Sequence, residues 1–145
     1  MKIIPSFIEL ETGNGLSIHD LNQSIQQQIK QSGITNGTIT ITSQHTTTAL
    51  TINENEERLV DDIKVFFKKL IPADDKYLHN DIHLRDCPDD EPENAHSHLT
   101  AMLLGSSESI AIINGELILG QYQSVMLCEL DGPRHRKVSL QIIGE

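Results

Sequence analysis

Asn114-Gly115, standing between Ser109–Ile113 and Glu116–Leu119, constrains this chain more than any other feature. Both central residues of the tightest hairpin turn need positive φ, which Asn and Gly tolerate best, so the flanking runs must fold back as antiparallel neighbours. Other segments carry the same rhythm. Gly37–Thr42 alternates β-branched residues with Ile39 and Ile41 on one face, and the pattern resumes over Thr48–Ile52. Met1–Glu11 alternates weakly and stops at the turn residues Thr12-Gly13-Asn14-Gly15. Gln121–Leu130 and Lys137–Ile143 read as two further strands, joined by a turn at Asp131-Gly132-Pro133-Arg134.

Three segments carry helical spacing instead. Ser17 with Asp20 resembles a capping box, and Ile18, Leu21, Ile25 and Ile29 follow until Gly33 supplies a stop. Asn53 with Glu56 predicts the start of a second helix, whose apolar stripe is Leu59, Ile63, Phe66 and Leu70 before Pro72 ends it. Its acids, Glu54, Glu56 and Glu57, come first and Lys68 and Lys69 last, as the helix dipole favours. Asn94 caps a short third helix over Ala95–Leu104, which Gly105 terminates. Between the last two, Ala73–Glu93 sets eight acidic residues against Lys76 and Arg85. Such a stretch is either a solvated loop or a binding lid.

About seven strands joined by turns, with about three helices and no regular βαβ repeat, predict an α+β fold. The expected form is a compact single domain over residues 1–145 with mainly antiparallel β-sheets packed face to face. A chain of 145 residues buries a core without disulfides, and with only 3% aromatic residues that core must be aliphatic. The formal charge of −10 would repel a phosphate backbone, which argues against nucleic acid as a partner. No stretch is long and apolar enough for a membrane span, and none has the form of a signal peptide. Cys87 and Cys128 lie far apart without a CxxC pair, which fits a reducing, cytoplasmic location.

Seven histidines include His45, His79, His83, His96 and His98 at expected turns or helix starts. Three convergent imidazoles with an open position would make a catalytic zinc-type site, whereas a histidine of the core bonds only a carbonyl. His96 and His98 lie two residues apart, which on a helix separates them by roughly 200°. They should not chelate one ion together; His98 faces the protein body and His96 turns away. The hydroxyl run around His45-Thr46-Thr47-Thr48 offers donors for a phosphate. Arg134, His135 and Arg136 gather positive charge at one turn of an acidic chain, which suits either a phosphate or carboxylate ligand or a salt-bridged turn. The phosphate-loop, dinucleotide and serine-hydrolase motifs are missing.

Taken in order, His45-Thr46-Thr47-Thr48-Ala49-Leu50 with Ile52-Asn53-Glu54, Tyr77-Leu78-His79, Asn94-Ala95-His96-Ser97-His98-Leu99 and Glu129-Leu130-Asp131-Gly132-Pro133-Arg134 with Arg136 resemble the YjbQ-like family, also called the secondary thiamine-phosphate synthase family. The resemblance implies a homotrimer whose histidines surround a metal or anion site, with His45, His79 and His98 as metal ligands and Glu54, Glu129 and Arg134 as polar neighbours. It implies a metal-assisted transferase joining a hydroxymethylpyrimidine diphosphate to a thiazole phosphate with release of pyrophosphate. His45, Glu54, Asp131 and Arg134 would be its catalytic residues, and Thr46, Thr47, Asn53 and Arg136 would bind the phosphorylated substrate. Glu54 and Asp131 would hold Mg²⁺, unless Zn²⁺ occupies the histidine site. The alternatives are a non-catalytic trimeric metal- or anion-binding module and a structural metal site that only stabilises the trimer. One departure stands out: Gln121-Tyr122-Gln123 has Tyr where the family usually has Trp, which would alter specificity if that aromatic shapes the pocket.

Overall fold

The computed structural model describes residues 1–145. In chain order the elements are β1 (Lys2–Glu11), β2 (Gly15–Asp20), α1 (Asn22–Ser32), β3 (Gly37–Ser43), β4 (Thr48–Asn53), α2 (Glu57–Leu70), α3 (Ala95–Leu104), β5 (Ser107–Ile113), β6 (Glu116–Leu117), β7 (Ser124–Gly132) and β8 (His135–Gly144). Two 3-10 turns, Leu78–Asn80 and Ile82–Leu84, interrupt the acidic segment. The strands form two antiparallel sheets, one of five strands in the order β1-β8-β3-β5-β6 and one of three in the order β2-β7-β4. This is the expected α+β arrangement. No helix is long and apolar enough to cross a membrane.

The alternation of Gly37–Ser43 does what its pattern predicts. Ile39 and Ile41 are fully buried, together with Ile110, Ile112, Val138, Leu140 and Ile142 of the same five-stranded sheet. They join one core cluster with Leu50, Val125 and Leu127 of the smaller sheet and with Ile25 and Ile29 of α1. A second cluster, Ala49, Cys128 and Leu130, faces the other way and packs with Ala101 and Leu104 of α3. The three-stranded sheet is therefore covered on both faces, which is why Val125–Leu130 is an unbroken buried run with no alternation to read. The Asn114-Gly115 turn has φ of 53° and 78° and pairs Ile113 with Glu116 as the hairpin requires. Gly33 ends α1 in the left-handed conformation.

Several local expectations are corrected. Ser17–Asp20 is not a helix start but the end of β2, where Ile18 pairs with Cys128 and His19 with Leu127. Sheet pairing overrides a capping pattern that is only local, and α1 begins at Asn22, whose amide donates to the Asp20 carboxylate at 2.9 Å. Asn53 is the last residue of β4; Glu56 caps α2 by accepting from the amides of Arg58 and Leu59 at 3.0 and 2.7 Å. The buried residue of that helix is Phe67, while Phe66 and Leu70 of the expected stripe are 58% and 50% exposed. Asn94 occupies the N-cap of α3 without a side-chain cap bond, and Asn80 instead accepts from the Ala95 amide at 3.1 Å.

Three of the links that pass from one sheet to the other are Thr12–Asn14 between β1 and β2, Gln44–Thr47 between β3 and β4, and Pro133-Arg134 between β7 and β8. The ladders place all three at the same end of the sandwich, because Glu11 pairs with His135, Gly15 with Gly132, Ser43 with Val138 and Thr48 with Glu129. A Cβ on Gly132 would collide with the Gly13 carbonyl, so two of the links touch at backbone level. Leu127 is fully buried between the sheets. Leu127→Ala is expected to cost about 2–5 kcal/mol, read as a lower urea midpoint with an unchanged slope.

Candidate functional site

The three links are tied together by one buried ion pair. Glu129 and Arg136 side chains are 0% and 6% exposed, and the guanidinium meets the carboxylate in a fork, Nε to Oε2 at 2.6 Å and Nη2 to Oε1 at 2.7 Å. Oε2 also accepts from the Thr12 hydroxyl at 2.7 Å, and Oε1 from the Asp131 amide at 2.9 Å. Arg136 Nη2 reaches on to Thr47 Oγ1 at 2.8 Å. Burial pushes the Glu129 carboxyl up, but the hydrogen bonds from Arg136, Thr12 and Asp131 and the arginine's charge outweigh it and hold the group below its ordinary value.

Beside this pair lies a cavity of about 330 Å³, reached by Gln44–Thr47, Glu91, Asn94, His98, Asp131, Arg134 and Arg136. Apart from Pro92, every side chain lining it carries a polar group. Asp131 accepts from Asn94 Nδ2 at 2.7 Å and from Arg134 Nη2 at 2.9 Å, and Arg134 Nε returns to the Asp131 carbonyl at 3.0 Å. Arg134 remains 42% exposed, and Arg136 Nη1 makes no bond within the chain. The His45 Nε2 accepts from the Lys137 amide at 3.0 Å. Burial first, and then the charge of Arg136, hold His45 below the usual histidine value. His98 is lowered by burial and then by His79, against the pull of Asp131. The rings of His98 and His79 meet edge to face with centroids 4.8 Å apart. His98 also borders a second cleft with Tyr77, Leu78 and Leu99.

The sequence profile of the family described as UPF0047 protein YjbQ-like matches residues 6–145. The chain belongs to this family. A UPF0047 protein of Methanothermobacter thermautotrophicus is 37% identical over 145 residues, which is 100% of this chain and 95% of that protein. The crystal structure of a YbjQ-like protein of unknown function from Sulfolobus solfataricus is similar with a TM-score of 0.88 at 32% identity, covering 99% of each chain. An uncharacterised YjbQ/UPF0047 protein of Clostridium acetobutylicum superposes with a TM-score of 0.84 at 34% identity over 95% of this chain and 99% of its own.

In this YjbQ-like chain the cavity unites His45, Thr46, Thr47, His98, Asp131, Arg134 and Arg136 of the expected site, with His79 behind His98. Asn53 and Glu54 do not join them. β4 runs away from the cavity, Asn53 pairing with Ser124 while Thr48 pairs with Glu129, so they stand roughly 17 Å along the strand. Glu54 and Asp131 of one chain therefore form no common Mg²⁺ site. A three-histidine centre does not fit either: no three His, Cys, Asp or Glu groups converge in a way that holds a metal ion, and His45 Nε2 is already engaged. His96 points elsewhere, as expected of its helix angle; half-buried, it lines a partly open, largely apolar pocket with Phe67 and Leu130. Tyr122, 69% exposed, lies just before Ser124, beyond the far end of β7 from Asp131, and so leaves this cavity untouched.

Sequence reasoning missed Thr12, Glu91 and the double use of Asn94. Thr12 read only as a turn residue, and no local pattern announces that its hydroxyl joins a carboxylate 117 residues away. Removing one member of the buried pair strands the other, so Glu129→Gln is expected to lose about 3–5 kcal/mol in urea unfolding, whereas the paired Glu129→Leu/Arg136→Met change loses much less. The depressed carboxyl also sets a pH window. Its contribution is complete above the ordinary glutamate value of 4.5 and is lost as pH falls through the lower folded value, which a urea series across that range will show as a stability difference from Glu129→Gln that shrinks in acid.

Proposed function

We propose that the polar cavity binds the phosphate or diphosphate of a small molecule and that the protein acts there as a transferase of the thiamine-phosphate synthase type. The observation that carries this reading is the lining itself: an all-polar cavity holding two arginines in a chain of net charge −10. Arg134 and the free edge of Arg136 are placed to neutralise anionic oxygens. In the proposed reaction the bond between the pyrimidine methylene and the diphosphate oxygen breaks, pyrophosphate leaves with the electron pair, and the thiazole nitrogen forms the new carbon–nitrogen bond. That nitrogen has no proton to lose. The step needs its leaving charge stabilised rather than a base, which suits a cavity where Glu129 and Asp131 are already paired with arginines.

A homotrimer, which the resemblance implies, belongs to the same proposal, and the exposed Val65, Phe66 and Leu70 of α2 give it an apolar surface to cover. A cytoplasmic location accords with two unpaired cysteines. The second reading, a non-catalytic trimeric anion-binding module, is favoured by one observation: the Glu129 and Asp131 carboxylates are both taken up in bonds to arginines and to neighbouring N–H groups, so neither is free to act as a base.

Calorimetry with pyrophosphate tests the first part. The wild type should bind it, and Arg134→Ala should weaken binding about tenfold or more while shifting Tm little, since so exposed a pair contributes only about 0–1 kcal/mol. Thiamine-phosphate formation from the two phosphorylated precursors tests the second part: product from the wild type and none from Arg134→Ala supports the transferase. Binding without product leaves the module.

A further inference from the structure

We infer that His45 serves the cavity as a fixed, neutral N–H donor to an anionic oxygen of the ligand, and as neither a metal ligand nor a base. The inference rests on the anion reading of the cavity and deepens it by assigning one group its role. Three features of the structure support it.

The first is where the ring sits in the sheet. β3 pairs with β8 only as far as Ser43, opposite Val138, and then leaves for the other sheet. The next amide along β8, that of Lys137, donates to His45 Nε2 at 3.0 Å, so the imidazole supplies the acceptor that the departing strand no longer provides. A backbone amide in a sheet is a donor that has to be satisfied. Turning Nε2 toward a metal would strand it.

The second is the proton count. A ring nitrogen that accepts a hydrogen bond carries no proton, so the neutral ring holds its proton on Nδ1. Protonating Nε2 would set N–H against N–H. The ring cannot take up a proton from a substrate while this bond stands, and the nitrogen left over is a donor.

The third is what that donor finds. Nδ1 has no partner within the chain, and His45 lines both the all-polar cavity and the adjoining one along Ser43, Thr48 and Ser106. Arg136 stands beside it with a free Nη1. Two donors lining one cavity, one cationic and one neutral, match the oxygens of a phosphate or diphosphate.

The test uses the ¹⁵N-labelled full chain and inorganic pyrophosphate. Long-range ¹H–¹⁵N spectra should show His45 protonated at Nδ1 and bare at Nε2, pyrophosphate should shift Nδ1, and equimolar Zn²⁺ should leave both nitrogens in place. His45→Asn, whose amide can offer an N–H near the Nδ1 position, should keep the pyrophosphate Kd within about threefold, whereas His45→Leu should weaken it about tenfold. Matching thermal melts confirm that the variants are folded. The opposite tautomer, a Zn²⁺ shift of the ring nitrogens, or an Asn variant as weak as the Leu variant overturns the inference and leaves the anion site standing. If the wild type binds no pyrophosphate, the cavity reading fails and takes the donor role with it.

Discussion

The Glu129–Arg136 pair is the constraint on which the rest of this end of the molecule depends. Its carboxylate sits at the centre of the smaller sheet, between Ser17 and Thr48, and its guanidinium comes from the larger one. Thr12, Thr47 and the Asp131 amide complete the set, so each of the three links at this end of the sandwich contributes to it or adjoins it. A charge buried this deeply is tolerated only because every lone pair facing it is satisfied. The links cannot shift independently without leaving one of those groups unpaired, and the cavity beside them is held open by the same bonds.

The fold was legible wherever one residue's conformational freedom or one face's burial decided the outcome. Asn114-Gly115, Gly33 and the alternating isoleucines of β3 each act locally, and each appears in the structure as its pattern requires. Ser17–Asp20 and Phe66 misled for the opposite reason. There the deciding partner, β7 for one and the packing face of α2 for the other, lies outside any window that a periodicity can scan.

The same division runs through the candidate site. His45, Asp131, Arg134 and Arg136 stood out because turn residues with side chains of unusual charge are visible in a line of text, and they do meet. Glu54 and Asn53 are only a few residues from His45 in sequence, yet a straight strand carries them to the far end of the sheet. His79 and His98 show the converse, touching across a stretch of chain that composition describes only as acidic. That stretch is structured after all, since Asn80 caps α3, Arg85 donates to the His79 carbonyl at 2.8 Å and Glu91 lines the cavity.

α2 is attached on different terms from the sandwich it lies against. Phe67 is its one buried side chain, whereas β7 is enclosed on both faces for six residues in succession. Free energy of opening follows such contacts, so it should differ between α2 and the sheets. With so little buried, α2 is expected to open at a lower free energy than the two sheets and the knot of bonds around Glu129, as a weaker unit of unfolding. Anything that covers Val65, Phe66 and Leu70 would raise the stability of that unit first.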